Sequence, residues 1–135
     1  MAFMQWNSEL ELQIVEIDRQ HQRLVELINQ FDDAVQAQQG VEMLDKVLNE
    51  LLDYTKTHFK FEEALLAKHG YPTYPEHKAE HDALAEKVVF MQDMFKEGNP
   101  PDSNMLLNFL KIWLKEHILD VDKQYAPYLQ EQGVV

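Results

Sequence analysis

The chain has 135 residues, enough for one domain with a real core, and its 45% apolar and 27% charged content is that of an ordinary globular protein. A net charge of −12 argues against nucleic acid and anionic membrane surfaces as partners, and against tight self-association, so a monomer is expected. The lack of cysteine removes disulfides, thiolate zinc sites, iron–sulfur clusters and covalently attached c-type haem together.

Met1 to Trp6 have neither a basic leader nor an apolar run, and no stretch approaches membrane-spanning length, so a cytoplasmic location without stable membrane insertion is expected. Residues 1–17 are mixed in character and read as an arm folded over the rest. Asp18 is placed to cap a first helix, about 18–39, stopped by Gly40. Its face is His21, Leu24, Ile28, Phe31 and Val35, in steps of three and four. A second helix, about 41–69, carries Leu44, Val47, Leu51, Tyr54, His58, Glu62 and Leu65, and ends at Gly70 and the Pro72 and Pro75 loop. The third, about 75–97, starts near Pro75 and presents His77, His81, Leu84, Val88, Met91 and Phe95. After Asn99-Pro100-Pro101, Asp102 or Ser103 caps a fourth helix, about 103–122, with Leu106, Leu110, Trp113 and His117 on one face. Tyr125-Ala126-Pro127-Tyr128-Leu129 reads as a short helix or turn in a tail, 123–135. Nothing alternates with period two, so the expected fold is an all-α, up-down-up-down four-helix bundle forming one domain over 1–135.

Polar residues interrupt these apolar faces at related heights. His21 opens the first helix, His58 and Glu62 lie towards the end of the second, His77 and His81 open the third, and His117 falls near the end of the fourth. In an up-down-up-down bundle the starts of odd helices and the ends of even ones share one end, so all four groups converge on one level. Imidazoles four residues apart leave one helix face, which suits adjacent positions on one metal ion. Buried singly, each such group would be costly. His69 lies roughly 10 Å beyond Glu62 along the axis and reads as a helix-end residue that favours the C-terminal dipole. On the fourth helix, ideal α geometry brings Asp120 closer to the His117 face, whereas a π-bulge would bring Asp122 there instead. Spacing alone prefers Asp120.

His21, His58-x-x-x-Glu62, His77-x-x-x-His81 and His117-x-x-x-x-Asp122 stand in the order and spacing of the hemerythrin ligands. The flanks agree: Ile17-Asp18-x-x-His21, His69-Gly70-Tyr71-Pro72, and Trp113-Leu114-x-x-His117-Ile118 ahead of Asp122. Over nearly its whole length the chain resembles the hemerythrins, in particular their single-domain prokaryotic form. The resemblance implies two iron ions, Fe2+ or Fe3+, with a bridging oxo or hydroxo group and no haem. It assigns His77, His81 and His117 to one iron, His21 and His58 to the other, and Glu62 and Asp122 as bridges. Asp122 is preferred over Asp120 on this ground.

The ligand types by themselves leave iron, zinc, copper and nickel open, but seven protein ligands are too many for one ion. With the bridges the family implies, one coordination position stays open, on the iron held by two histidines. The resemblance therefore implies reversible dioxygen binding for carriage, storage or delivery, with an oxygen-consuming enzyme as the partner a supplier would serve. The alternatives are a di-iron oxidase or peroxidase, a nitric oxide or iron-handling enzyme, and an oxygen sensor acting through a partner. Leu24, Ile28, Trp113, Leu114 and Ile118 are candidates to line an oxygen pocket; ordinary bundle core is the commoner description of each, and the two are compatible. Tyr54, one turn before His58, is a further candidate whose hydroxyl needs a partner.

Overall fold

The computed structural model describes residues 4–38, 41–98 and 102–134, without the side chains of residues 41–43, 88, 95 and 120. The expectations for Gly40, for the Asn99-Pro100-Pro101 loop and for the side chains of Val88, Phe95 and Asp120 lie outside that description. Four long helices form the bundle: α1 (Val15–Gln36), α2 (Val41–Lys68), α3 (Tyr74–Lys96) and α4 (Ser103–Glu116). A π-helical turn, His117–Asp122, joins α4 to a short α5 (Lys123–Glu131). α1 packs on α2 and α4, and α2 packs on α3. Between α3 and α4 runs a cleft of about 520 Å3. Among the described residues there is no strand and no helix long and apolar enough to cross a membrane.

Each helix follows its apolar stripe, with corrections of register. α1 begins one turn earlier than Asp18 suggested, because Ile17 is fully buried and extends the stripe of His21, Leu24, Ile28 and Phe31 backwards. On α2 the buried line is Leu44, Leu48, Leu51, Leu52, Thr55, His58, Phe59, Glu62 and Leu66. Val47, Tyr54 and Leu65 are pushed to the flank and only half-buried, since this helix faces α1 on one side and α3 on the other. α4 likewise buries Leu107 and Leu114 beside Leu106 and Leu110, leaving Trp113 half-buried.

The helix ends show ordinary chemistry. Asp102 caps α4, its side chain accepting the Met105 N–H at 3.0 Å. α2 closes with the Tyr71 N–H reaching back to the Leu66 carbonyl at 3.0 Å, the wrap of a Schellman motif. That wrap needs a left-handed residue, and Gly70, with φ of 65°, supplies it without a Cβ clash.

The arm before α1 is tied down at three places. The Met4 backbone and the Asn29 amide exchange two hydrogen bonds of 2.8 Å, and Gln130 donates to the Leu12 carbonyl at 3.0 Å. Asp18 does not cap α1. It sits inside the first turn, where its two carboxylate oxygens accept the Leu12 and Gln13 N–H groups at 2.8 and 3.0 Å. These bonds hold Gln13 at a φ of 62°, a conformation that costs a non-glycine residue, and so let Leu10, Leu12 and Ile14 turn into the core. Asp18→Ala should lower unfolding free energy by about 1–2 kcal/mol. Urea denaturation reads this directly, and an unchanged midpoint would mean that the arm is held by its apolar contacts alone.

Candidate metal centre

The four helices bring His21 from α1, His58 and Glu62 from α2, His77 and His81 from α3 and His117 from the end of α4 to one level of the bundle, where all are buried. The imidazole rings of His21, His58, His77, His81 and His117 crowd together: His21 and His58, and His77 and His81, have centroids 4.6 Å apart, and His117 lies 5.3–6.0 Å from each of the others. Asp122 joins them through the π turn. Ideal α geometry would swing a residue five positions after His117 well off its face. Over His117–Asp122 the helix widens to i→i+5 bonding, continued by Lys123 N–H to the Ile118 carbonyl, and Asp122 becomes fully buried facing His117. His69 stays outside the cluster, half-buried just beyond α2, with its carbonyl accepting the Tyr128 hydroxyl at 2.5 Å.

The two carboxylates divide their oxygens. Glu62 Oε1 lies 2.6 Å from His58 Nε2, 3.3 Å from His21 Nε2 and 3.5 Å from His117 Nε2. Its Oε2 lies 3.2 Å from both His77 Nε2 and His81 Nε2. Asp122 Oδ2 lies 2.9 Å from His21 Nε2 and His117 Nε2, and its Oδ1 3.5 Å from His77 Nε2. Two groups of donor atoms follow: His21, His58, Glu62, His117 and Asp122, and Glu62, His77 and His81. The grouping of His117 with His21 and His58 differs from the one the resemblance implies. Its Nε2 is drawn to the doubly carboxylate-lined side of the centre, where Asp122 Oδ2 and Glu62 Oε1 both face it.

Charge sets the protonation of this cluster. Burial opposes a proton on His117, but the Asp122 and Glu62 carboxylates outweigh it and push the pKa up to about 10. His21 is raised in the same way against the same burial. His58 is lowered, chiefly by burial, with His21 and His117 adding to it and Glu62 opposing. Glu62 is held well below the usual carboxylate range: burial works against its charge, and His58 and His117 overcome it.

Hydrogen bonding does not satisfy these groups. His58 Nε2, His81 Nε2, His117 Nε2 and both Asp122 oxygens are shielded from solvent without a hydrogen bond. Buried polar atoms are rarely left so. They converge instead with their lone pairs on a shared interior, as ligands of cations do. Five imidazole nitrogens and two carboxylates, with Glu62 in both groups and Asp122 reaching from the first group to His77 of the second, fit a pair of metal ions.

A sequence profile of the Hemerythrin HHE cation binding domain matches residues 12–129. The chain belongs to the hemerythrin family. It is 35% identical to a bacteriohemerythrin of Methylococcus capsulatus over 96% of this chain and 98% of that protein. A bacteriohemerythrin of Aquifex aeolicus is 32% identical over 84% of this chain and 87% of its own. The crystal structure of a leucine-to-alanine variant of a hemerythrin superposes with a TM-score of 0.89 at 34% identity, covering 94% of this chain and 97% of that one. The wild-type crystal structure of a hemerythrin gives the same score over 93% and 97%.

Within this hemerythrin bundle the candidate pocket residues occupy two environments. Leu24, Ile28, Leu114 and Ile118 are wholly buried in the core. Trp113 instead lies along the α3–α4 cleft with His81 and His117, its ring stacked on His117 at 5.3 Å. Tyr54 is not at the centre: it lines a shallow surface groove with Arg23, Asp53 and Thr57.

Four residues beside the centre escaped the sequence reading. Phe59 stacks on the His81 ring at 3.8 Å, nearly parallel, although one step after His58 it was set off the chosen face. Tyr125 is fully buried and donates its hydroxyl to Glu62 Oε1 at 3.3 Å. Its place three residues after Asp122, on the same face, was a usable signal. Gln20 lies 2.7 Å from His58 Nδ1 and Glu63 3.6 Å from His81 Nδ1, and no spacing singles them out.

Metal ions take the imidazole lone pairs that His117 and His21 use to hold protons. With its pKa pushed up to about 10, His117 is charged in the metal-free protein at pH 7 and loses its proton only as pH climbs through about 10; the His21 pKa is raised in the same direction. Loading with a divalent ion at pH 7 should therefore release at least about one proton per centre. Calorimetry in buffers of different ionisation enthalpy measures this, and a heat independent of buffer would contradict the charge assignment.

Proposed function

We propose that the protein binds dioxygen reversibly at a non-haem centre of two iron ions, as a carrier, store or local supplier, and acts as a binding protein and not as an enzyme. The reading takes one domain over residues 1–135, with His21, His58, Glu62, His77, His81, His117 and Asp122 as the metal ligands. The observation that carries it is the division of Glu62 and Asp122, each of which directs one oxygen to one group of imidazoles and the other oxygen across to His77. A carboxylate so placed would serve two ions at once. Membership of the hemerythrin family supports iron, with a bridging oxo or hydroxo, over the other metals that imidazole accepts.

Two ferrous ions held by these seven residues would supply the electrons for reversible dioxygen binding. The chain's own residues set the conditions for that reversal. Five neutral nitrogen donors and two carboxylates place less negative charge on the pair than the four carboxylates and two histidines of ferritin-like centres, which favours the reduced ions. Leu24, Ile28, Leu114 and Ile118 give a water-poor surround, and Trp113 covers His117 from the cleft. Tyr125 fixes Glu62: burial and the charges of Asp122 and Glu62 push its pKa well above the ordinary value, so its hydroxyl stays a donor.

A cytoplasmic setting agrees with the absence of cysteine, and a monomer with the self-repulsion of a net charge of −12. An oxygen-consuming enzyme is the partner to which such a protein would deliver. The deciding experiment is a visible spectrum of the reduced, iron-loaded protein before air, after air and under renewed argon. A charge-transfer band that appears with air and fades with argon through several cycles is expected. A band that forms once and decays to a stable ferric spectrum would replace the carrier by an oxidase.

A further inference from the structure

The five imidazoles of the centre do not share one kind of outer partner. His58 Nδ1 lies 2.7 Å from Gln20 Oε1, while His81 Nδ1 has the Glu63 carboxylate 3.6 Å away and His21 Nδ1 has no hydrogen-bond partner among the described residues. Gln20 is one turn after Glu16 on α1, and its amide Nε2 donates to Glu16 Oε1 at 3.1 Å. The other oxygen of Glu16 accepts from the Arg19 guanidinium at the surface. Arg19, Glu16, Gln20 and His58 thus form one chain of hydrogen bonds running from solvent to the centre.

The direction of each bond in this chain is determined by chemistry. An ionised carboxylate only accepts, so the amide NH2 of Gln20 must face Glu16 and its carbonyl oxygen must face His58. An amide oxygen only accepts, so His58 Nδ1 must carry the ring proton. Nε2, on the far side of the ring, is then the lone-pair nitrogen, and it is the atom that faces Glu62 Oε1 and the interior of the cluster. Glu16 polarises the amide without delivering a net charge to the ring. A carboxylate in the place of Gln20 would pull the Nδ1 proton harder, give the ring imidazolate character and make Nε2 a stronger donor to an oxidised ion.

We propose that Gln20 is a positioning residue for the metal centre: it selects the His58 tautomer that aims Nε2 inward and, as a neutral amide, keeps His58 a weaker donor than a carboxylate partner would. The consequence is an electronic asymmetry between the two halves of the centre. The half that contains His21 and His58 is the one less committed to the ferric state, which favours release of dioxygen over autoxidation. This rests on the di-iron reading above and deepens it.

The test compares Gln20→Glu, Gln20→Leu and Glu16→Gln with the wild type, all as full chains loaded with iron. Helicity and the melting curve of the metal-free forms establish that each variant folds. Iron retention against a chelator reads the positioning role: Gln20→Leu should lose about 10- to 100-fold in affinity, and Gln20→Glu should not. The midpoint potential of the centre, by spectroelectrochemistry, reads the electronic role. Gln20→Glu should lower it and speed autoxidation several-fold, whereas Glu16→Gln should raise it by a smaller amount. Variants that retain iron as the wild type does, with the same potential and autoxidation rate, would overturn the proposal while leaving reversible oxygen binding intact. A wild-type protein that takes up no iron would overturn the di-iron reading, and the proposal with it.

Discussion

Everything in this fold answers to the burial of Glu62 and Asp122 among five imidazoles at one level of a helical bundle. A carboxylate taken out of water is expensive, and a pair of them side by side more so, unless positive charge or a full set of donors surrounds them. Here the surrounding groups are imidazole nitrogens at 2.6–3.5 Å, and they leave Asp122 and several ring nitrogens without hydrogen bonds. A proton on His117 eases the charge but does not satisfy the geometry. Cations would do both.

Several otherwise odd local features follow from that demand. The π turn at His117–Asp122 widens the helix at the point where one carboxylate must face the imidazoles of three other helices. α5 then continues from a rotated start, which brings Tyr125 over Glu62 and Tyr128 onto the end of α2 at His69. The N-terminal arm, anchored by Asp18, Asn29 and Gln130, adds Leu10, Leu12 and Ile14 to the core. These parts join the chain's beginning and end to the bundle that holds the centre.

The two sides of the centre are unlike. Towards α1, Gln20 and Glu16 make an ordered polar chain to His58. Towards α3 and α4, aromatic rings do the covering: Phe59 on His81 and Trp113 on His117, with the cleft beyond them. The centre thus has a polar approach on one side and an aromatic one on the other.

Much of this was legible in the residues. Periodicity in steps of three and four named the helices, and the antiparallel logic of a bundle was enough to bring His21, His58, Glu62, His77, His81 and His117 to one height, because rise per residue is a property of any α-helix. What periodicity could not decide was whatever depended on a departure from that ideal or on a neighbour from another helix. Asp122 needed the π turn, and uniform geometry pointed to Asp120 instead. Tyr54 and Phe59 exchanged places as neighbours of the centre because α2 is wedged between α1 and α3, a matter of packing angle that one helix cannot reveal. Asp18 had the composition of a cap, and only the returning arm made it an anchor. Gln20 carries no mark in the sequence at all, since a hydrogen bond between side chains 38 residues apart exists only once α1 lies against α2. Local physics named the candidate ligands by type and height, and the tertiary structure decided which atoms face them.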